Sequence, residues 1–310
     1  MDKSSQFILS IIVIVLGYCL KRVGIVSEDD AGALTRVILN VTLPAVVLNN
    51  FLSFSFEARY LFLSFIVIIY SIIMYIIGRL ITRGKNSDDS SLLRISLLGF
   101  NIGLFAYPLI ETIWGARALG LAVFFDVGNA LVIFGLAYVI CILDYGRKTG
   151  THAVRGRAEI ARNIGRQLFT FIPFISFLVA LALSAVAVKP GAAVTGMLSF
   201  LAGANGPLVL LLLGITFTLD VSRKEVSYIA RILIIRYAVG ATAGIACYYL
   251  LPYDHLTRVV LLLCLLLPAG MAIIPYSIEF GYKRNVASAI VNISNVISLG
   301  ILAFIALLFG

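Results

Sequence analysis

The sequence predicts an all-α integral membrane protein with ten transmembrane helices, arranged as two inverted five-helix repeats whose helices 4 and 9 are broken and cross. Three observations predict it: apolar runs of membrane-spanning length, basic residues concentrated in alternate loops, and matching breaks in the two halves. Of the 310 residues, 61% are hydrophobic and 13% are charged. Soluble domains carry about 25% charged residues, so this composition favours a chain that lies mostly in lipid.

Ten apolar segments are long enough to cross a bilayer as helices. Their predicted bounds are 6–22, 32–54, 59–82, 91–114, 117–142, 168–188, 192–219, 227–251, 256–281 and 286–309. The first segment runs directly into Lys21 and Arg22 without a small-residue cleavage site. We therefore interpret it as a retained span and not as a signal peptide.

Basic residues concentrate in the odd-numbered loops. The fifth loop carries six of them between residues 147 and 166, whereas the even loops hold only Arg59, Arg117, Lys189 and Arg258. Because loops rich in lysine and arginine stay in the cytoplasm, we predict a multi-pass protein of the cell membrane with both termini outside the cytoplasm. The net charge of +9 is then a property of cytoplasmic loops, and we expect no nucleic acid partner.

Five spans in each half require the second half to enter the membrane in the opposite sense, as in many secondary transporters. We divide the chain into a first repeat at 1–148, a connector at 149–167 and a second repeat at 168–310. In the connector, apolar residues such as Ile160 and Ile164 can form one stripe on a helix rich in arginine. This pattern predicts an amphipathic helix on the inner membrane surface.

The fourth and ninth spans are interrupted at matching positions. Residues 99–108 read G-F-N-I-G-L-F-A-Y-P, which is a poor helix interior because proline removes a hydrogen bond and each glycine costs about 1 kcal/mol relative to alanine. Broken spans at equivalent places in two halves indicate a transporter binding site. The predicted substrate-binding residues are Asn101, Gly103, Pro108, Pro268, Gly270, Pro275, Asn292 and Asn295. Asn101 is the strongest candidate by position, and a cap on the interrupted helix is its alternative role.

Asp126 is the only carboxylate expected near mid-membrane, about ten residues into the fifth span. A charge at that depth costs at least about 3 kcal/mol, so it normally faces a cavity or a partner. We predict that Asp126 and Asn129, one helical turn apart, couple transport to an ion. Their alternative role is to brace the broken backbone. Asn292 and Asn295 repeat this spacing, and bracing and ligand contact are equally open for them.

The breaks also have electrostatic consequences. The helix that follows a break presents free N–H groups, which favour a carboxylate, and the helix before it presents carbonyl groups, which favour a cation. Arg236 lies a few residues into the eighth span, and we interpret it as snorkelling to the inner surface, with an anion contact as the alternative. Four scattered cysteines and two histidines form no ligand cluster, so we predict no metal site, no cofactor and no enzymatic activity.

Six segments together resemble the auxin efflux carrier family, which includes bacterial members and the plant PIN proteins. In chain order they are K-R-V-G-I-V-S at 21–27, L-N-V-T-L-P-A at 39–45, N-I-G-L-F-A-Y-P at 101–108, D-V-G-N at 126–129, G-P-L-V-L-L-L-L-G at 206–214 and L-L-P-A-G at 266–270. The resemblance implies a fold similar to bile acid–sodium symporters and sodium/proton antiporters. It also implies a homodimer, an elevator mechanism in which a transport unit moves against a scaffold of helices one, two, six and seven, and organic-anion substrates such as auxin or short dicarboxylates.

The sequence therefore predicts a secondary transporter that moves a small organic anion by alternating access at the crossing of helices 4 and 9. One alternative is a cation/proton antiporter on a similar fold, with Asp126 as its proton carrier. Another is a membrane enzyme or a sensor that binds ligand without moving it. Substrate identity and the choice among uniport, Na⁺ coupling and H⁺ coupling are left open.

Overall fold

The computed structural model describes residues 3–53, 58–85, 87–149, 157–185, 190–218 and 221–309. Its regular elements in these ranges are helices. The first half contains α1 (Lys3–Arg22), α2 (Glu28–Val37), α3 (Leu43–Ser53), α4 (Phe62–Ile81), α5 (Asp88–Ser96), α6 (Tyr107–Leu131) and α7 (Tyr138–Thr149). The second half contains α8 (Arg157–Thr170), α9 (Ile172–Ala185), α10 (Ala192–Ile215), α11 (Arg223–Leu250), α12 (His255–Cys264), α13 (Ile273–Glu279) and α14 (Arg284–Phe309).

Seven helical stretches of the described residues are long and apolar enough to cross a membrane, and there are eight if α8 and α9, bent by 73°, count as one span. This confirms a multi-pass membrane protein. The number is below the predicted ten because α5, α12 and α13 are short, and because Ile102–Lys148 is one continuous run of 47 residues. Gly115 lies inside that run with a φ of 81°, which interrupts the helix between the predicted fourth and fifth spans. The ten-span count stays a prediction.

Turns of π-helix precede two of the prolines. Ile38–Thr42 lies between α2 and α3 ahead of Pro44, and Ile102–Ala106 leads into α6 ahead of Pro108. Proline has no N–H, so the carbonyl four residues before it loses its usual partner and the helix widens locally. The sequence analysis placed the first break across residues 99–108, up to Pro108. The structure instead keeps the residues just before Pro108 helical, as a π-helical turn.

Contacts between loops join odd-numbered loops to odd-numbered loops and even-numbered loops to even-numbered loops. The first kind is Lys21 with Thr218, Lys148 with Asp88, and Lys283 with Asp89. The second kind is Arg117 with Asp254. On the same side, the Trp114 indole donates to the carbonyl of Phe309 at the C-terminal end of α14. This grouping agrees with the alternation that the charge pattern predicts.

Two helix groups form the packed interior. In the first, α1 and α10 cross so closely that a Cβ on Gly17 would lie 2.3 Å from the carbonyl oxygen of Leu211, and one on Gly214 would lie 2.0 Å from that of Ile14. Small residues allow such an approach between membrane helices. The helices α3 and α9 complete this group, and the Thr42 hydroxyl donates to Asn205 of α10 at 2.8 Å. The second group contains α4, α5, α6, α11, α12, α13 and α14.

A buried ion pair ties α5 to α7. Arg94 Nε donates to Asp144 Oδ2 at 2.8 Å, and both side chains are almost fully buried. Arg94 also donates to the hydroxyls of Thr82 and Ser91. A buried charge pair is tolerated when its remaining hydrogen-bonding groups are satisfied, so this contact fixes the start of the broken fourth span.

The connector is helical where it is described. Helix α8 carries Ile160 and Ile164 against the core, and Leu168 on the same stripe is buried. Residues 150–156 of the predicted connector, which include Ala153, lie outside the described residues.

Candidate functional site

Two non-helical segments cross near the centre of the second helix group. The first comprises residues 97–101 and follows α5, and the second comprises residues 265–272 between α12 and α13. Phe100 and Ala269 form an antiparallel bridge, and the Asn101 N–H donates to the carbonyl of Pro268 at 3.0 Å. We call these two segments the crossover. The first break begins two residues before the predicted Gly99, and it ends where the π-helical turn begins at Ile102.

Asn129 of α6 completes the backbone hydrogen bonding on the first side of the crossover. Its Oδ1 accepts from the Phe100 N–H at 2.8 Å, and its Nδ2 donates to the Phe100 carbonyl at 2.9 Å. The same Nδ2 donates to Asp126 Oδ1 at 2.9 Å, and the Tyr107 hydroxyl donates to Asp126 Oδ2 at 3.0 Å. The amide thus replaces two bonds that the unwound chain has lost, and it orients the one carboxylate beside them.

Serines of α14 have the corresponding role on the second side. Ser294 Oγ accepts from the Ala269 N–H at 3.0 Å, and Ser298 Oγ donates to the Leu266 carbonyl at 2.8 Å. The Tyr237 hydroxyl lies 2.8 Å from both the Ser294 carbonyl and Ser298 Oγ. Asn295 was expected to repeat the geometry of Asn129, but the structure gives that contact to its neighbour Ser294.

Arg236 of α11 lies beneath the crossover and is 1% exposed. Its guanidinium donates to four carbonyls, those of Ser96, Gly99, Leu267 and Pro268, at 2.7 to 3.3 Å. It also lies over the ring of Phe100, 4.5 Å from the centroid. The interpretation of Arg236 as a snorkelling residue is wrong, because its side chain is buried and its Nη1 and Nη2 atoms donate to backbone carbonyls inside the protein, while Nε has no hydrogen-bond partner among the described residues.

A cavity of about 460 Å³ adjoins the crossover. Its polar lining includes Asn101, Asp126 and Asn129, and Gly103 and Pro275 also lie on its wall. Most of the remaining lining is apolar: Leu39, Leu43, Phe100, Ile102, Leu104, Ala130, Ile133, Phe134, Phe171, Met271, Ala272 and Ile274. A cavity of this size with a few polar groups fits a small amphipathic molecule.

A second, more polar cavity of about 370 Å³ lies across a shared wall of Leu104, Met271 and Ile274. Its polar lining consists of Thr216, Thr218, Arg284, Asn285, Ser288, Asn292 and Asn295. The Asn101 amide reaches Asn295 Oδ1 at 3.5 Å, which is a long contact. Asn292 donates to the Thr218 carbonyl at 2.8 Å and so joins α14 to the end of α10.

The glycines and prolines of the predicted site divide into different roles. A Cβ on Gly103 would lie 2.9 Å from the tip of Leu43, so glycine lets this turn approach α3. A Cβ on Gly270 would lie 3.5 Å from the Phe100 nitrogen, which is an ordinary contact distance, so a side chain would fit there. Pro268 contributes its carbonyl to the crossover. Pro108 does not line either crossover cavity, because it follows the π-helical turn. It lines a third cavity of about 410 Å³ with Glu111 and Pro207.

The sequence analysis missed several contributors to this site. Tyr107, Ser294 and Ser298 were not identified, and Arg236 was given another role. Tyrosine and serine are common in membrane helices, so their presence alone gave no signal. Arg236 did give one, because it stands inside an apolar span with no acidic residue within one helical turn.

In the part of the chain that the structure describes, seven or eight apolar spans accompany a polar, partly unwound centre, an arrangement typical of multi-pass membrane transporters. Comparison with known proteins identifies the family: the profile described as "Membrane transport protein" matches residues 5–306. The chain therefore belongs to this membrane transport family, which is auxin efflux carrier-like, and the family resemblance noted in the sequence is confirmed.

Two archaeal relatives are similar along most of their length. An uncharacterized transporter of Methanothermobacter thermautotrophicus is 27% identical over 306 residues, covering 96% of this chain and 95% of the relative. An uncharacterized transporter of Methanocaldococcus jannaschii is 23% identical over 274 residues, covering 85% of each chain. The family and both relatives are described as transporters and not as enzymes.

Proposed function

We propose that this protein is a secondary transporter of a small organic anion, such as an auxin-like carboxylate or a dicarboxylate, and that the anion binds at the crossover. The observation that carries the proposal is the direct backbone contact between two unwound segments, Asn101 to Pro268, beside a cavity that Asn101, Asp126 and Asn129 line. Unwound backbone at membrane depth is stable only where protein or a wet cavity satisfies it.

The start of the helical run at Ile102 is the proposed carboxylate site. Its first N–H groups have no partner within the preceding turn, and they carry the partial positive charge of a helix N-terminus. Asn101 and Asn295 add side-chain amides beside this end, one on each cavity. The apolar lining of the larger cavity would hold the body of the substrate.

Asp126 lies in the same cavity and is the proposed ion-coupling residue, with Asn129 as its partner. A bare carboxylate would repel an anionic substrate, whereas a protonated one would not. Asp126 lines the cavity, and the Tyr107 hydroxyl, which donates to Oδ2 of the carboxylate, can rotate to accept a hydrogen bond from a protonated Asp126. This arrangement supports proton coupling. It also keeps a cation/proton antiporter as a second candidate function.

In the proposed transport movement, the two helix groups shift relative to each other. The group of α1, α3, α9 and α10 would act as the scaffold, and the group that contains the crossover would move against it in an elevator mechanism. Support for two inverted repeats of five spans comes from Gly115 and Gly281, which have positive φ values of 81° and 72° just after the two broken spans. A homodimer, a cell-membrane location and extracytoplasmic termini remain part of this proposal.

A thermal-shift screen tests the proposal most economically. The purified protein is heated with indole-3-acetate, succinate and malonate, each with and without sodium and at several pH values. A ligand that binds only the folded state raises the melting temperature. A carboxylate that does so should also be transported into proteoliposomes. Binding without flux would favour a sensor, and sodium or proton flux without any carboxylate would favour the antiporter.

A further inference from the structure

The Arg236 guanidinium lies among four backbone carbonyl oxygens at the crossover. Carbonyl groups at the C-terminal ends of half-helices carry partial negative charge, and in transporters with broken helices such ends coordinate Na⁺ or H⁺. Here Ser96 is the last residue of α5, Gly99 lies three residues beyond it, and Leu267 and Pro268 lie three and four residues beyond the end of α12. All four carbonyls accept hydrogen bonds from the one guanidinium.

We propose that Arg236 is a built-in cation that takes the place of a coupling sodium ion at the crossover. The inference rests on the proposed function, and it specifies that transport of the anion does not require Na⁺ at this point. A guanidinium is charged at every physiological pH and cannot leave its position, so the crossover carries a permanent positive charge beneath its backbone.

The geometry leaves little opportunity for a second cation. The Pro268 carbonyl already accepts from both Arg236 and the Asn101 N–H. Phe100 covers one face of the guanidinium at 4.5 Å, so the positive charge is enclosed on that side as well. Another cation beside the guanidinium would be repelled strongly, because two like charges would then lie close together in a medium less polar than water. The same positive charge favours an anion near Asn101. Gly99 lies two residues before Asn101 in the chain, and the Pro268 carbonyl accepts from the Asn101 N–H.

The first test measures the wild-type protein alone. Uptake of the carboxylate identified by the thermal-shift screen is measured with sodium, potassium or choline as the only external cation, at constant ionic strength. We expect the same rate with all three cations. A requirement for sodium would overturn the inference while leaving the organic-anion function intact. Absence of carboxylate flux under every condition would instead refute the proposed function.

The second test removes the charge. Arg236→Met should reduce carboxylate flux by about tenfold or more, since it removes the charged group whose hydrogen bonds reach both segments of the crossover. Arg236→Lys, which keeps a cation but reaches fewer carbonyls, should recover part of the loss. Arg231→Met is the matched control, because Arg231 lies on the same helix and is exposed. Full flux in Arg236→Met would contradict the inference.

Folding of the variants is followed by size-exclusion chromatography and by the melting temperature. If Arg236→Met does not fold, the melting temperatures of the wild type and Arg236→Lys in sodium and in potassium still decide the question. We expect no difference between the two cations in the wild type. Selective stabilisation of the wild type by sodium would mean that an ion site exists beside Arg236, and the inference would then be wrong.

Discussion

The backbone N–H of Asn101 donates to the carbonyl oxygen of Pro268 at 3.0 Å, and this bond joins the two halves of the chain at the point where both are unwound. Each segment lacks helical hydrogen bonds of its own there, and the partners come from elsewhere in the protein. Asn129 supplies them for one segment, Ser294 and Ser298 for the other, and Arg236 for both. The polar groups near the crossover therefore belong to two functional sets, those that hold the backbone and those that remain available to a ligand.

Asn129→Ala should destabilise the fold. The substitution removes both partners of the Phe100 backbone, and each buried polar group left unsatisfied costs about 1–3 kcal/mol. We expect a clearly lower melting temperature in detergent. Asn163→Ala on α8, outside both crossover cavities, is the control and should change stability by less than about 0.5 kcal/mol. Equal melting temperatures for the two variants would show that Asn129 is not a brace.

Gly214→Ala should separate α1 from α10. A Cβ at this position would lie 2.0 Å from the backbone oxygen of Ile14, and backbone cannot rotate away as a side chain can. Overpacking of this kind costs about 1–3 kcal/mol, measured as a loss of melting temperature. Gly300→Ala is the matched control on α14, where a Cβ meets nothing within 4 Å. It should be neutral or slightly stabilising, since alanine is the better helix former.

Asp144→Asn should be far more damaging than loss of an exposed ion pair. The Asp144 carboxylate neutralises a fully buried Arg94, and breaking a buried pair costs about 3–5 kcal/mol. Lys148→Met removes the partner of Asp88, where both side chains are partly exposed, and should cost about 1 kcal/mol or less. Thermal unfolding of both variants gives the comparison. Similar losses in the two would contradict the structural role of the buried pair.

Asp126→Asn should remove the pH dependence of transport while preserving the fold. The amide is close in size to the carboxyl group and can still accept a hydrogen bond from Tyr107, but it cannot carry a proton. We expect wild-type flux to change with pH and the flux of the variant to be nearly constant. Superimposable pH profiles would show that Asp126 is not the proton carrier. Asp88→Asn, at the partly exposed first residue of α5, serves as the control.

Much of the fold could be predicted because glycine and proline act locally. The breaks lie within a few residues of Gly99 and of the P-A-G pattern at 268–270, and α8 contains the part of the predicted apolar stripe that the structure describes. Asn129 was recognised with bracing as one of its two roles, because an amide one turn from a carboxylate beside a break has few other uses. The prolines were less informative. Pro44 and Pro108 follow π-helical turns, which keep the chain wound.

The partners across the crossover could not be predicted, because they depend on packing between distant segments. Arg236 is more than a hundred residues from the carbonyl of Gly99, and no periodicity in α11 indicates that it points inward. Ser294 is the brace in place of its neighbour Asn295, which lines the smaller cavity.

Carboxylate flux through Asn101→Ala proteoliposomes tests the central claim most directly. Among the residues that the structure describes, the side chain of Asn101 makes one long contact, with Asn295, and its backbone bond to Pro268 does not need the side-chain amide, so the variant should fold normally. With Asn163→Ala as the control, we predict that Asn101→Ala binds and transports the carboxylate at least about tenfold more weakly, with an unchanged melting temperature in the absence of ligand. Wild-type binding and flux in this variant would contradict a substrate site at the crossover.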